Sequence, residues 1–220
     1  MSDLDASRRF YELALGGITP VDSEHALTRC LHVGFGVENR DSVDRWWERM
    51  TAAGYRSDGE PGERPQYNST YYGGFVLDPD GNSVEAVHHQ RSRTGQLDHV
   101  WLRTGDLEGS KRFYETIATA VGIYLGRDEP ERVGFSDGAG SFTFVPGNEP
   151  TEHVHLAFGV PSAEAVTTFH ETATRAGYEN NGAPGERPNY HPGYYAAFVL
   201  DPNGHNVEAV FHDRRSASSG

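Results

Sequence analysis

The chain of 220 residues is a tandem duplication, and this constrains its fold more than any other feature. Residues 31–89 align without a gap on residues 154–212, at a constant offset of 123. In the best stretch, YYGGFVLDPDGNSVEAVHH (71–89) against YYAAFVLDPNGHNVEAVFH (194–212), 13 of 19 positions are identical. GERP recurs at 62–65 and 185–188, and AGY at 53–55 and 176–178. A second match, SDLDASRRFYE (2–12) on GDLEGSKRFYE (105–115), has an offset of 103, so the first copy lacks 123 − 103 = 20 residues between the two blocks. Met1 aligns with Thr104, so the counterpart of residues 97–103 falls before Met1. Duplicated sequence folds as duplicated units. The expected organisation is a truncated, degenerate copy over residues 1–89, a linker over 90–96, a complete domain over 97–212 and a tail over 213–220.

The net charge, 19 − 32 = −13, excludes a nucleic-acid partner and an anionic membrane surface, because both need a basic patch. The N-terminus is polar, and no apolar run approaches membrane-spanning length. A single cysteine, Cys30, excludes an internal disulfide framework and fits a reducing cytoplasm. Beside an apolar run, it reads as a small buried hydrophobe rather than a nucleophile. The linker QRSRTGQ and the tail DRRSASSG read as disordered.

Within the second copy, LDHVWLRT (97–104) reads as a strand with His99, Trp101 and Arg103 on one face. Residues 106–121 have helical spacing of Leu107, Phe113, Tyr114, Ile117 and Val121. Short strands follow around 132–136 and 141–145. The pattern then restarts. HVHLAFGV (153–160) is a strand with His155, Ala157 and Gly159 on one face, and 162–176 is a helix capped by Ser162 and Gly177. Residues 194–212 form a hairpin about the turn Asp201–Pro202–Asn203–Gly204, with Glu208, Val210 and His212 on one face of its second strand. Each copy thus uses a strand–helix–strands unit twice, an α+β class.

The stretches LDHVWLRTGDLEGSKRFYE, HVHLAFGV and FVLDPNGHNVEAV, in this order and spacing, resemble the vicinal oxygen chelate superfamily. Its members include glyoxalase I, extradiol dioxygenases and bleomycin and fosfomycin resistance proteins. The resemblance covers residues 97–212 fully and 3–89 partly. It implies tandem βαβββ modules that form open, cup-shaped mixed sheets, here one complete domain plus one truncated copy. It also implies a small-molecule substrate. The missing first strand leaves an edge that the other copy or a second chain must cover, so a homodimer is expected of this cytoplasmic protein.

The family's ligand positions fall on His99, His155 and Glu208. Two imidazoles and one carboxylate suit Fe2+ or Mn2+, with Zn2+ or Ni2+ also accommodated, and leave open positions for two neighbouring substrate oxygens. The function implied is a divalent-metal-dependent dioxygenase or a glyoxalase-like lyase or isomerase. The alternative is a metal-free, ligand-sequestering protein of the bleomycin-resistance type. Two departures from the family pattern keep the reaction open: SFTFVPG (141–147) carries no fourth carboxylate, and Phe198 stands where extradiol members carry a tyrosine. His191 is a candidate general acid or base, because its counterpart is Asn68. Tyr195 is a second catalytic candidate. Arg187, Tyr190, Tyr194, Trp101, Arg103 and His212 are candidate pocket residues. The first copy keeps His32 and Glu85 at the positions of His155 and Glu208 but lacks its own strand to supply a further histidine.

Overall fold

In a computed structural model, residues 3–16 and 26–213 are described. The expected tail lies, apart from Asp213, outside them. The chain divides into two compact units, one of Met1–Arg103, Gly138–Thr143 and Glu149–Thr151, and one of Thr104–Asp137, Phe144–Asn148 and Glu152–Gly220. The boundary therefore does not fall at the end of the first copy: the first strand of the second copy belongs to the first unit. Among the described residues, no helix is long and apolar enough to cross a membrane.

The first unit contains α1 (Leu4–Leu15), β1 (His32–Gly36), α2 (Arg40–Ala52), β2 (Ser57–Glu63), β3 (Tyr72–Leu77), β4 (Ser83–His88) and β5 (Leu97–Thr104), whose last residue is counted with the second unit. The strands run in the order β2-β3-β4-β1-β5. β1 is parallel to β4 and antiparallel to β5, with Gly34 opposite Glu85 on one side and His99 on the other. Strand alternation sends Val33 and Phe35, Val84 and Ala86, and Tyr72 and Val76 to the helical face. There they pack with Phe10, Val43, Trp46 and Met50. The Trp46 indole N–H donates to the Ala14 carbonyl at 2.9 Å, and the Phe10 ring meets Tyr55 edge to face at 4.8 Å. Asp3 and Asn39 cap the two helices.

The second unit contains α3 (Leu107–Val121), β6 (Tyr124–Glu129), β7 (Arg132–Ser136), β9 (His155–Gly159), α4 (Ala163–Arg175), β10 (Asn180–Glu186), β11 (Tyr194–Leu200) and β12 (Asn206–His212). β8 (Ser141–Pro146) begins in the first unit and ends in the second. The order β10-β11-β12-β9 repeats β2-β3-β4-β1. The packing repeats as well. Tyr114 donates to Asp201 at 3.2 Å as Tyr11 donates to Asp78 at 2.9 Å, and Phe113 meets Tyr178 at 4.7 Å as Phe10 meets Tyr55. In both turns the aspartate's other oxygen accepts two backbone N–H groups. One aspartate thus closes the hairpin turn and ties it to a helix. Burial pushes the pKa of both tyrosines up, reinforced by the aspartate each one meets.

The α+β class, the hairpin at 194–212, the Ser162 cap and the strands at 97–104 and 132–136 match the sequence reading. Gly177 is not the capping residue; the cap is Ala176, and Gly177 follows it at φ +93°. The strands β2 and β10 have no counterpart in that reading, because SDGEPGE and NNGAPGE look like loops. Each is the outer strand of its order and shifts register twice, where a proline costs no ladder hydrogen bond. The linker is not loose. Gly36 N–H donates to Gln96 O at 3.0 Å and Gly95 N–H donates to Gly36 O at 2.9 Å, so the segment is bonded to the end of β1. Cys30 is half-buried with φ of 57°, and its repeat counterpart His153 has φ of 54°.

Candidate metal centre

The face of the first unit's sheet away from the helices carries three donor side chains: His32 on β1, Glu85 on β4 and His99 on β5. The register explains why they meet. Glu85 and His99 flank Gly34 from its two neighbouring strands, and His32 lies two residues before Gly34 on the same face. Gly34 has no side chain, and the His99 ring lies where a Cβ would stand. Gly73, on β3, plays the same part for Glu85: a Cβ there would overlap Glu85 Oε1. Glycine's value at both positions is space rather than backbone freedom.

The His32 and His99 Nε2 atoms are 3.0 Å apart, and each is 3.1 Å from Glu85 Oε2. Metal–ligand bonds of about 2.1 Å at right angles place neighbouring donor atoms about 3.0 Å apart. All three separations fit one face of an octahedron, so the donor set fits a divalent ion. The outer contacts fix each ligand. His99 Nδ1 donates to Asp98 Oδ2 at 3.0 Å, which turns Nε2 towards His32 and Glu85. His32 Nδ1 lies 3.0 Å from Ser83 Oγ. The Tyr71 hydroxyl is 2.9 Å from both oxygens of Glu85. Asp98 is shared with His89, whose Nε2 is 3.0 Å from Oδ1. Glu85 is 1% exposed and His99 6%, so neither charge is relieved by water.

Burial alone would lower the His99 pKa, but hydrogen bonds from the ring to Asp98 and Glu85 raise it to about 9. Burial would likewise raise the Glu85 pKa, yet the two imidazoles hold it below the usual carboxylate value. The Tyr71 hydroxyl is pushed well up, first by burial and then by the Glu85 charge, so it remains a donor. Around His32 stand aromatic rings: Phe75 at 5.8 Å and Trp101 at 6.4 Å, with Tyr67 at 5.4 Å from Trp101. The Arg64 guanidinium sits over Phe75, with its carbon 5.4 Å from the ring centroid.

The ligand set expected from the resemblance is divided between the units. His99 joins His32 and Glu85 in the first, while His155 pairs with Glu208 in the second at 2.8 Å. The reason is strand pairing: β5, the first strand of the second copy, pairs with β1 of the first copy. In the second unit Tyr194 donates to Glu208 Oε1 at 2.7 Å and His155 meets Oε2, so each oxygen has its own partner. Ala157 and Ala196 stand where the first unit has Gly34 and Gly73. His191 is exposed and bonds His212 rather than the His155–Glu208 pair. Tyr195 is opposite Phe211, and alternation turns it away from the face of Tyr194 and Glu208. Arg187 lies over Phe198 as Arg64 lies over Phe75. Asp98, Ser83, Tyr67 and Tyr71 were not singled out by the sequence reading. The recurrence of the tyrosine and glutamate in both copies was the available signal for Tyr71.

Residues 19–86 and 96–209 match the model of the Glyoxalase/Bleomycin resistance protein/Dioxygenase superfamily. The chain belongs to this superfamily. Glyoxalase I of Zea mays has the same fold: its V278E variant superposes with a TM-score of 0.69 at 23% identity, over 96% of this chain and 89% of the maize chain. The unaltered maize enzyme gives 0.67 at 21% identity, over the same 96% and 89%. A glyoxalase/bleomycin resistance protein from Albidiferax ferrireducens, 28% identical, matches 52% of this chain and 96% of its own, with a TM-score of 0.45. No curated protein sequence matches the chain.

Two results are expected at this centre. Asp98→Ala removes the acceptor that orients His99, and metal affinity falls about 10- to 100-fold without loss of fold. A metal titration followed by circular dichroism checks both parts, and unchanged affinity would remove Asp98 from the account. Gly73→Ala forces the Glu85 carboxylate aside, because the new methyl group occupies the place of Oε1. The expected outcome is a drop in metal affinity of about tenfold or more, with a stability cost within about 1–3 kcal/mol for the overpacked site. Equal affinity in this variant would mean that Glu85 has room the structure does not show.

Proposed function

We propose that the protein is a divalent-metal-dependent enzyme acting on a small molecule with two neighbouring oxygens, with the ion held by His32, Glu85 and His99. The observation that carries this reading is the equal spacing of the three donor atoms, 3.0–3.1 Å, on side chains that are each held by a further hydrogen bond. Two histidines and one carboxylate with open positions favour Fe2+ or Mn2+. When bound, such an ion supplies Lewis-acid polarisation of the substrate oxygens.

The chain's own residues do the rest. Asp98 keeps the His99 proton on Nδ1, and Tyr71 keeps its own proton on the hydroxyl oxygen and stops the Glu85 carboxylate from turning. The rings of Tyr67, Phe75 and Trp101 offer flat apolar surface beside His32 and displace water from it. His32 has the most exposed side chain of the three ligands, at 21%, and marks the side from which a substrate arrives.

The test is turnover of a panel of catechols and α-hydroxy carbonyl compounds by protein loaded anaerobically with Fe2+ or Mn2+. Turnover that disappears in Glu85→Gln supports the reading. Metal-loaded protein that turns over none of them, or activity untouched by Glu85→Gln, counts against it.

A further inference from the structure

We infer that His191 and His212 form a second metal site, on the second unit, for a late first-row divalent cation such as Ni2+, Cu2+ or Zn2+. His191 Nε2 and His212 Nδ1 face each other at 3.0 Å, with the imidazole planes 20° apart and their centroids 5.1 Å apart. The tautomer of His191 is set by the chain. Its Nδ1 lies 2.8 Å from the Pro192 carbonyl, which only accepts, so Nδ1 carries the proton and Nε2 presents a lone pair. A ligating histidine is typically fixed in this way, with its other nitrogen donating to a carbonyl. A separation of 3.0 Å also matches two nitrogen ligands at right angles on bonds of about 2.1 Å.

The pair is held ready by the backbone. Tyr194 N–H donates to His191 O at 3.2 Å to close the turn before β11, and Asp213 N–H donates to Gly193 O at 2.8 Å to draw the end of β12 against that turn. Gly193, at φ +76°, permits the bend. The Tyr194 ring stands edge-on to both imidazoles, 5.1 Å from His191 and 4.9 Å from His212. Both histidines are exposed, so water completes the coordination. Imidazole donors and the rise of affinity towards Ni2+ and Cu2+ across the first row set the cation class. The first copy cannot repeat this site: Asn68 stands at the position of His191, and His89, at that of His212, bonds Asp98.

The test is calorimetric titration of the full chain, purified without a histidine tag, with Ni2+ alone. The His99→Ala variant removes the first centre, so that only other sites respond. One saturable equivalent is expected in His99→Ala, weakened at least tenfold on adding either His191→Asn or His212→Gln, with circular dichroism unchanged because both side chains are exposed. The inference is overturned by the absence of saturable binding, by weakening under tenfold in both variants, or by loss of the equivalent on adding His155→Ala instead. In Cu2+-loaded His99→Ala, electron paramagnetic resonance should show coupling to two imidazole nitrogens, and coupling to fewer would contradict the pair.

Discussion

His99→Ala is expected to abolish binding of Fe2+ or Mn2+ at the first centre, and His155→Ala to leave it unchanged. The contrast is sharp because both histidines sit on first strands of equivalent modules and both lie near a buried glutamate. His99 contributes one corner of a three-donor face whose other corners, His32 and Glu85, are 3.0 and 3.1 Å away. Two remaining donors do not make a facial set. Removing one partner also leaves the Glu85 carboxylate, 1% exposed, with one imidazole and Tyr71 in place of two imidazoles and Tyr71. His155, in contrast, meets Glu208 in the other unit. Metal content of the two variants, each checked for fold, decides the matter. Retention of metal by His99→Ala, or its loss in His155→Ala, would return the site to the second copy.

The second large effect is expected in the core. Phe10 is fully buried and packs edge to face on both Tyr11 and Tyr55 at 4.8 Å. Phe10→Ala removes that ring contact and leaves a cavity beneath β3 and β4, at a cost of about 3–5 kcal/mol. Against a typical total of roughly 5–15 kcal/mol, this is a large fraction of the stability of the first unit. For a chain of this size the midpoint should fall by roughly 10 °C. The site should suffer with the core, because Val84 and Ala86 face the helices while Glu85, between them, faces the metal centre. Thermal denaturation with and without Mn2+ measures both consequences. A cost below about 1 kcal/mol would mean that α1 is not an integral layer of the first unit.

Much of this architecture was legible in the sequence, for physical reasons. Two short apolar runs, FVL and VEAV, with an Asp-Pro-Asn-Gly turn between them, leave little besides a hairpin, and Ser162 before an amphipathic run leaves little besides a helix start. The duplication also carried the equivalence of His32 with His155 and of Glu85 with Glu208. It did not carry which strands pair. An offset says which residues correspond; it is silent on whether β5 also pairs across to β1. The linker held the clue, since only seven residues, 90–96, separate the two copies, and a strand that follows so soon is usually a spatial neighbour. Edge strands such as SDGEPGE were invisible because glycine and proline are tolerated there. The outer contacts of Asp98 and Ser83 were invisible too, because they depend on which side chains share a face.

The measurement that tests the central claim most directly is metal content per chain, by elemental analysis of untagged protein, as purified without chelators and after anaerobic incubation with Fe2+ or Mn2+ and removal of loosely bound ions. The expected result is about one tightly held iron or manganese ion per chain in the natural sequence and none of either in Glu85→Ala. No ion in the natural sequence, or the same content in both proteins, would contradict a metal centre at His32, Glu85 and His99.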